Sequence, residues 1–226
     1  MKPAEFFDLS SFEHKALFDG VENVWETVAR IGEYLERWKD WEIRGEVREG
    51  AVIVGKVSIG EGTVVEPTAY IEGPTVIGKN CAVRHGAYVR GKVIAGDGCV
   101  IGHATEVKNS IFLNGAKAAH FAYVGDSILG AGVNLGAGAK LANFKIQAGR
   151  PNIDVAKGGE KFQTGQRKLG AILGDGVELG CNSVTAPGTL VGPGSMVYPC
   201  TSIRGYIPPR SIVKMKQSFE TVERED

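Results

Sequence analysis

Counting every sixth residue from Ile53 gives Ile53, Ile59, Val65, Ile71, Ile77, Val83, Val89, Ala95, Ile101, Val107 and Leu113. Four places after each stand Val57, Thr63, Ala69, Thr75, Cys81, Ala87, Val93, Cys99, Thr105 and Ile111, all small or β-branched. A period of six fits neither the 3.6 of an α-helix nor hairpins of varied strand length. It predicts an all-β solenoid of hexapeptide repeats, with short strands forming flat walls. The two series lie an even number of residues apart on extended chain, so both point inward. Stacked coils then bury a continuous apolar column that is stable only as an array. Gly60, Gly78, Gly96 and Gly102, each following an inward residue, suit turns between walls.

The period resumes with Leu129, Leu135 and Leu141, and again with Leu173, Leu179, Thr185, Val191, Val197 and Ile203. Leu113 to Leu129 is sixteen residues, two short of three repeats, which predicts a slip around residues 115–128. Residues 145–168 have no period and read as an excursion loop, the kind of segment that often carries function. Ahead of the repeats, Val21, Val24, Trp25, Val28, Ile31, Leu35 and Trp38 form a helical stripe over 21–38. Asp19 and Glu22 are spaced as a capping box, and the helix is expected to cap an open end of the solenoid. The expected organisation is an N-terminal helical segment over 1–45, repeats over 46–206 and a tail over 207–226.

Composition narrows the function classes. Lys+Arg and Asp+Glu both total 26, so nothing suggests a nucleic-acid or membrane partner. The opening residues lack the apolar core of a signal peptide, and no apolar run is long enough to cross a bilayer. A cytoplasmic protein is expected. Cys81 and Cys99 stand at inward positions eighteen residues apart and read as core thiols. Cys181 and Cys200 lie off the inward positions, and no C-x-x-C suggests a metal site. His14, His85 and His103 have no motif around them and read as surface residues.

Residues 106–144, EVKNSIFLNGAKAAHFAYVGDSILGAGVNLGAGAKLANF, are more specific than the repeat. With the stretch from residue 82 and, more weakly, 171–204, they resemble the acetyltransferase domain of bifunctional glucosamine-1-phosphate acetyltransferase/N-acetylglucosamine-1-phosphate uridyltransferase. The most specific blocks are KAAHFAYVGD at 117–126 and VNLGAG at 133–138. The resemblance implies a left-handed parallel β-helix and a homotrimer with sites between subunits. It implies acetyl-CoA as co-substrate and an amino-sugar phosphate as acceptor. It puts His120 on the catalytic base. It puts Arg84, Lys108, Tyr123, Asn134 and Lys168 on positions that hold the sugar phosphate. Asn143, Phe144 and Cys181 fall at the coenzyme.

The chemistry is consistent with those roles. Attack of an amine on a thioester needs a base that accepts a proton near neutrality, which suits histidine. A phosphate suits Arg and Lys, one as a planar fork and one as a point charge. His120 is expected in the slipped turn. The family has tyrosine where this chain has Phe144 and serine where it has Cys181, and its turn is shorter than the excursion at 145–168. These departures leave open a nucleotide-linked amino sugar or a longer acyl chain. A non-catalytic sugar-phosphate binder is the third reading. No glycine-rich nucleotide loop precedes the repeats, so no UDP-sugar synthesis and no metal are expected.

Overall fold

The computed structural model describes residues 1–146, 149, 151–216, 218 and 220–224. The repeats wind into a left-handed parallel β-helix with three walls. Wall 1 runs from Glu46–Val47 to Ile212–Val213 in nine strands. Wall 2 runs from Val52–Val54 to Ser202–Ile203, and wall 3 from Val57–Ile59 to Tyr206–Ile207, with eight strands each. Every pairing between coils is parallel, for example Ile53 with Ile71 and Ile71 with Val89. Cys81 and Cys99 are buried in the internal column, as read from the period.

The slip in register is in two parts, one within the expected residues 115–128 and one before them. Val107 pairs with Val89 one coil back and with Val124 one coil on. The next inward residue after Val107 is Phe112, which pairs with Ala95. Leu113 and Ile111 instead face outward, and Ser110 takes the small inward place opposite Val93. One residue is therefore missing between Val107 and Phe112, and a second between Val124 and Leu129. Both shortened turns are at the corner between walls 2 and 3. His120 stands outside them, at the end of the regular wall 1 strand Lys117–His120. The wall 1 strand Val100–His103 likewise contains Gly102, which is therefore not a turn residue.

Wall 3 is apolar on both faces. Val76, Ile94, Ile111, Ile128, Ile172 and Leu190 form an outward column, each at most 3% exposed. Phe6, Phe7, Phe12, Leu17, Trp25, Ile31 and Leu35 from the N-terminal segment cover it. Each such side chain removed from water contributes roughly 1.5–3 kcal/mol before entropy. The N-terminal helix thus covers a wall and does not cap an open end. It spans Glu26–Arg37, starting later than the stripe suggests. Asp19 and Glu22 form no capping box. The Glu26 carboxylate instead accepts from the Glu22 backbone N–H at 3.1 Å.

The excursion is not an open loop. Asp154–Lys157 and Glu160–Gln163 form an antiparallel hairpin. Ile153, Val155 and Leu169 are fully buried in the cluster that covers wall 3. Gln166 donates to the Trp25 carbonyl at 2.9 Å, which ties the hairpin to the N-terminal segment. Among the described residues, no helix is long and apolar enough to cross a membrane.

His14 is not a surface residue. It is 1% exposed, packs edge-on against Phe12 and Tyr34, and lies 3.0 Å from the Tyr34 hydroxyl through Nδ1. Burial pushes its pKa down from 6.5 to about 4, so it is neutral in the fold. Protonation therefore favours the unfolded chain. The stability held by neutral His14 is complete above about pH 6.5, falls as the pH drops towards 4, and levels off below that. The gap is worth about 3 kcal/mol at 1.36 kcal/mol per pH unit. Urea unfolding of the wild type and of His14→Gln at pH 7 and pH 4.5 measures it. The variant is expected to lose less stability between the two, and an identical loss would contradict the assignment.

Candidate functional site

The corner between walls 2 and 3 carries a cavity of about 680 Å³, lined by Arg90, Lys108, Tyr123, Asn143, Phe144, Arg167 and Lys168. Its floor comes from successive rungs of wall 2. Tyr123 pairs with Glu106 below it, and Lys108 with Gly125 above it. Tyr88 and Val89 pair with Glu106 and Val107, which puts Arg90 on the rung beneath Lys108. Asn143 and Phe144 follow the last strand before the excursion, Lys140–Leu141. Arg167 and Lys168 come from its return.

Four of the lining residues are cations. Arg90 donates to Glu106 at 2.7 Å, and Lys108 to Asp126 at 3.2 Å. Among the described residues, Arg167 and Lys168 have no ion-pair partner. The cavity therefore carries a positive excess and suits an anion. Asn143 Nδ2 donates to the Tyr123 hydroxyl at 3.2 Å. Burial pushes the Tyr123 pKa up, helped by the nearby Glu106 and Asp126 carboxylates. The phenol keeps its proton at neutral pH and can donate it into the cavity.

The expected site residues divide between two places. Lys108, Tyr123, Asn143, Phe144 and Lys168 meet in the cavity. Asn134 and Cys181 line a separate groove of about 350 Å³ on wall 1, with Glu178, Met196 and Tyr198. Arg84 follows the wall 1 strand Ala82–Val83 and does not line the cavity. His120 is exposed at the corner where wall 1 turns into wall 2, three residues before Tyr123.

His120 has company there. His85, His103 and His120 occupy the same corner on successive coils. His103 pairs with His120, and the His85 and His103 rings stack 4.1 Å apart. Phe121, next to His120, has a φ of +35° and is 52% exposed. Among the described residues, no group of three or more His, Cys, Asp or Glu is arranged to hold a metal ion.

Sequence reading missed Arg90, Arg167 and Asp126. Arg90 was within reach, because it stands eighteen residues, one full coil, before Lys108. Arg167 lies near the end of the excursion, where the period carries no information. Asp126 lies in the motif at 117–126, but only the fold shows what it touches.

Comparison with known proteins identifies the group. Residues 71–207 match the family described as the GMPPB C-terminal domain. A bifunctional protein GlmU from Methanococcus maripaludis strain C7 is 39% identical over 211 residues, covering 93% of this chain and 50% of that protein. A bifunctional sugar-1-phosphate nucleotidylyltransferase/acetyltransferase from Sulfurisphaera tokodaii is 37% identical over 155 residues, covering 69% of this chain and 38% of that protein. The chain thus spans about half the length, or less, of these two relatives. The Francisella novicida UDP-N-acetylglucosamine acyltransferase shares the fold, with a TM-score of 0.51 at 18% identity over 72% of this chain and 62% of that one. The chain is a hexapeptide-repeat β-helix that belongs to the family described as the GMPPB C-terminal domain, and it is similar to part of the GlmU-type bifunctional proteins.

Proposed function

We propose that the chain transfers an acetyl group from acetyl-CoA to the amine of an amino-sugar phosphate such as glucosamine-1-phosphate. The observation that carries this reading is the cavity: four cations and a protonated phenol at one corner, suited to a phosphate. His120, exposed at the corner of walls 1 and 2 three residues before Tyr123, takes the proton from the attacking amine. Arg90 and Lys108, on adjacent rungs, hold the phosphate together with Lys168 and Arg167. Asn134 and Cys181, in the wall 1 groove, serve the sugar and the coenzyme.

A nucleotide-linked amino sugar is the second reading. It is favoured by the cavity volume of about 680 Å³ and by Phe144 in its lining, an aromatic face beside the anion seat.

Thiol release from acetyl-CoA, followed with each acceptor class, tests both readings. Arg90→Ala is expected to raise the acceptor KM about tenfold or more, the scale of a charge-assisted contact to phosphate, and to leave the acetyl-CoA KM nearly unchanged. Arg84→Ala is expected to do less. A larger effect from Arg84 than from Arg90 would move the phosphate to wall 1.

We also propose a homotrimer, as the resemblance implies. Wall 3 is covered by the chain's own N-terminal segment and hairpin, which leaves walls 1 and 2 for neighbours. The assigned residues are split between those two walls, and a neighbouring prism at the edge would bring such halves together. Light scattering that gives a monomer at working concentration would contradict this.

A further inference from the structure

Asp126 lies outside the cavity lining, yet its carboxylate touches two of the residues that line it, Lys108 and Asn143. Its side chain is buried, with the residue 4% exposed. It occupies the second of the two shortened corners and has a φ of +50°. One carboxylate oxygen accepts from Lys108 Nζ at 3.2 Å and from Asn143 Nδ2. The other accepts from Asn109 Nδ2 at 2.8 Å. The Asp126 carbonyl accepts from the Gly170 N–H at 2.8 Å, where the excursion returns to the coil.

All three side-chain partners are donors, and only an ionised carboxylate offers two oxygens and no hydrogen to them. A carboxylate this deep is stable only if it is paired and hydrogen-bonded, and Lys108 supplies the countercharge. The contacts run outward from there. Lys108 is held by one of its three N–H groups, which leaves the other two for the cavity. Asn143 is fixed with its amide nitrogen towards Asp126 and the Tyr123 hydroxyl. Because that hydroxyl accepts from Asn143, its own proton is free to point into the cavity.

We propose that Asp126 is the positioning residue of this site: one buried carboxylate sets the placement of Lys108, Asn143 and Tyr123 and lowers the positive charge that the site presents to an anion. The inference rests on the proposed acetyl transfer for its kinetic part and on the cavity alone for its binding part. It also accounts for the missing residue. The shortened corner brings the side chains of Lys108 and Asp126, on neighbouring coils, within reach of each other.

The test is Asp126→Asn, with Asp126→Glu beside it. Three quantities are measured on each: melting temperature, steady-state acetyl transfer, and binding of inorganic phosphate by calorimetry at fixed ionic strength. In Asp126→Asn an amide N–H must face one of the donors, so the placement is lost, while Lys108 loses its countercharge. Turnover is expected to fall about 10–100-fold, the scale for removing an outer partner that orients a site group. Phosphate is expected to bind severalfold tighter. Asp126→Glu keeps the charge and shifts the oxygens, so turnover is expected to fall with no tightening of phosphate.

Wild-type turnover in Asp126→Asn would overturn the proposal. So would a fall in turnover and phosphate binding in step with the melting temperature, which is what a purely structural carboxylate gives. Weaker or unchanged phosphate binding in a well-folded Asp126→Asn protein would overturn it as well. If the wild type acetylates no amino sugar, the proposed function fails, and the phosphate measurement still decides the role of Asp126.

Discussion

His120→Ala is expected to lower the rate of acetyl transfer about 10²–10⁴-fold, the usual worth of a general base, and to leave the fold intact. The second half of that expectation follows from where the residue sits. His120 is exposed and ends a wall 1 strand, and the internal column beside it is carried by Ala118 and Val124. Removing an exposed imidazole therefore leaves the apolar column untouched. Kinetics and melting temperature on the same samples separate the roles. A variant that melts normally and still acetylates at near wild-type rate would show that another group takes the proton. The neighbouring His103 is the first to examine, since it pairs with His120 on the coil below.

Gly102→Ala is expected to have the largest effect on stability, about 3 kcal/mol or more, at the upper end of the cost of overpacking. A Cβ built on Gly102 would lie 1.8 Å from the carbonyl oxygen of Ala119 and 2.1 Å from its carbonyl carbon. Both are backbone atoms, which cannot swing aside as a flexible side chain does. Gly102 is needed here for close approach, not for an unusual φ. The strand that must move is Lys117–His120, so the base shifts with it. Gly102→Ala is thus expected to lower the melting temperature and the turnover together, whereas His120→Ala lowers turnover alone. Wild-type stability in Gly102→Ala, measured by denaturant unfolding, would contradict the close packing of these two coils.

The extent to which the sequence discloses this fold depends on contrast between neighbouring positions. From Ile53 to Val107 the count of six holds, and outward polar neighbours such as Glu72, Arg90 and Glu106 set off inward Ile71, Val89 and Val107. At Ile111–Leu113 the contrast vanishes. Three apolar residues follow one another, because wall 3 is covered outside as well as packed inside. A fixed count of six therefore passes through Leu113, where the inward residue is Phe112. The same cover was legible in part: the helix shows its apolar stripe, and apolar residues directly precede inward ones at Val76, Ile94 and Ile128. Those outward positions belong to strands one coil or more apart, so only the wound chain shows them as a single face.

The site follows the same rule. Lys108, Tyr123 and Asn143 lie in a specific motif and meet in space. Arg84 lies in a motif too, but follows a wall 1 strand and does not line the cavity, and Arg90 takes the rung below Lys108. The slip in period does accompany the site. It sits under Lys108 and Asp126, where shortening brings two side chains into contact, and not at His120.

The most direct measurement of the central claim is a single assay: purified protein, acetyl-CoA and glucosamine-1-phosphate, with free thiol release and mass spectrometry of the sugar read together. The account predicts thiol release that depends on the sugar, a sugar product heavier by one acetyl group, and loss of both in His120→Ala. Thiol release that ignores the sugar, or an unmodified sugar with this and with nucleotide-linked amino sugars, would contradict it.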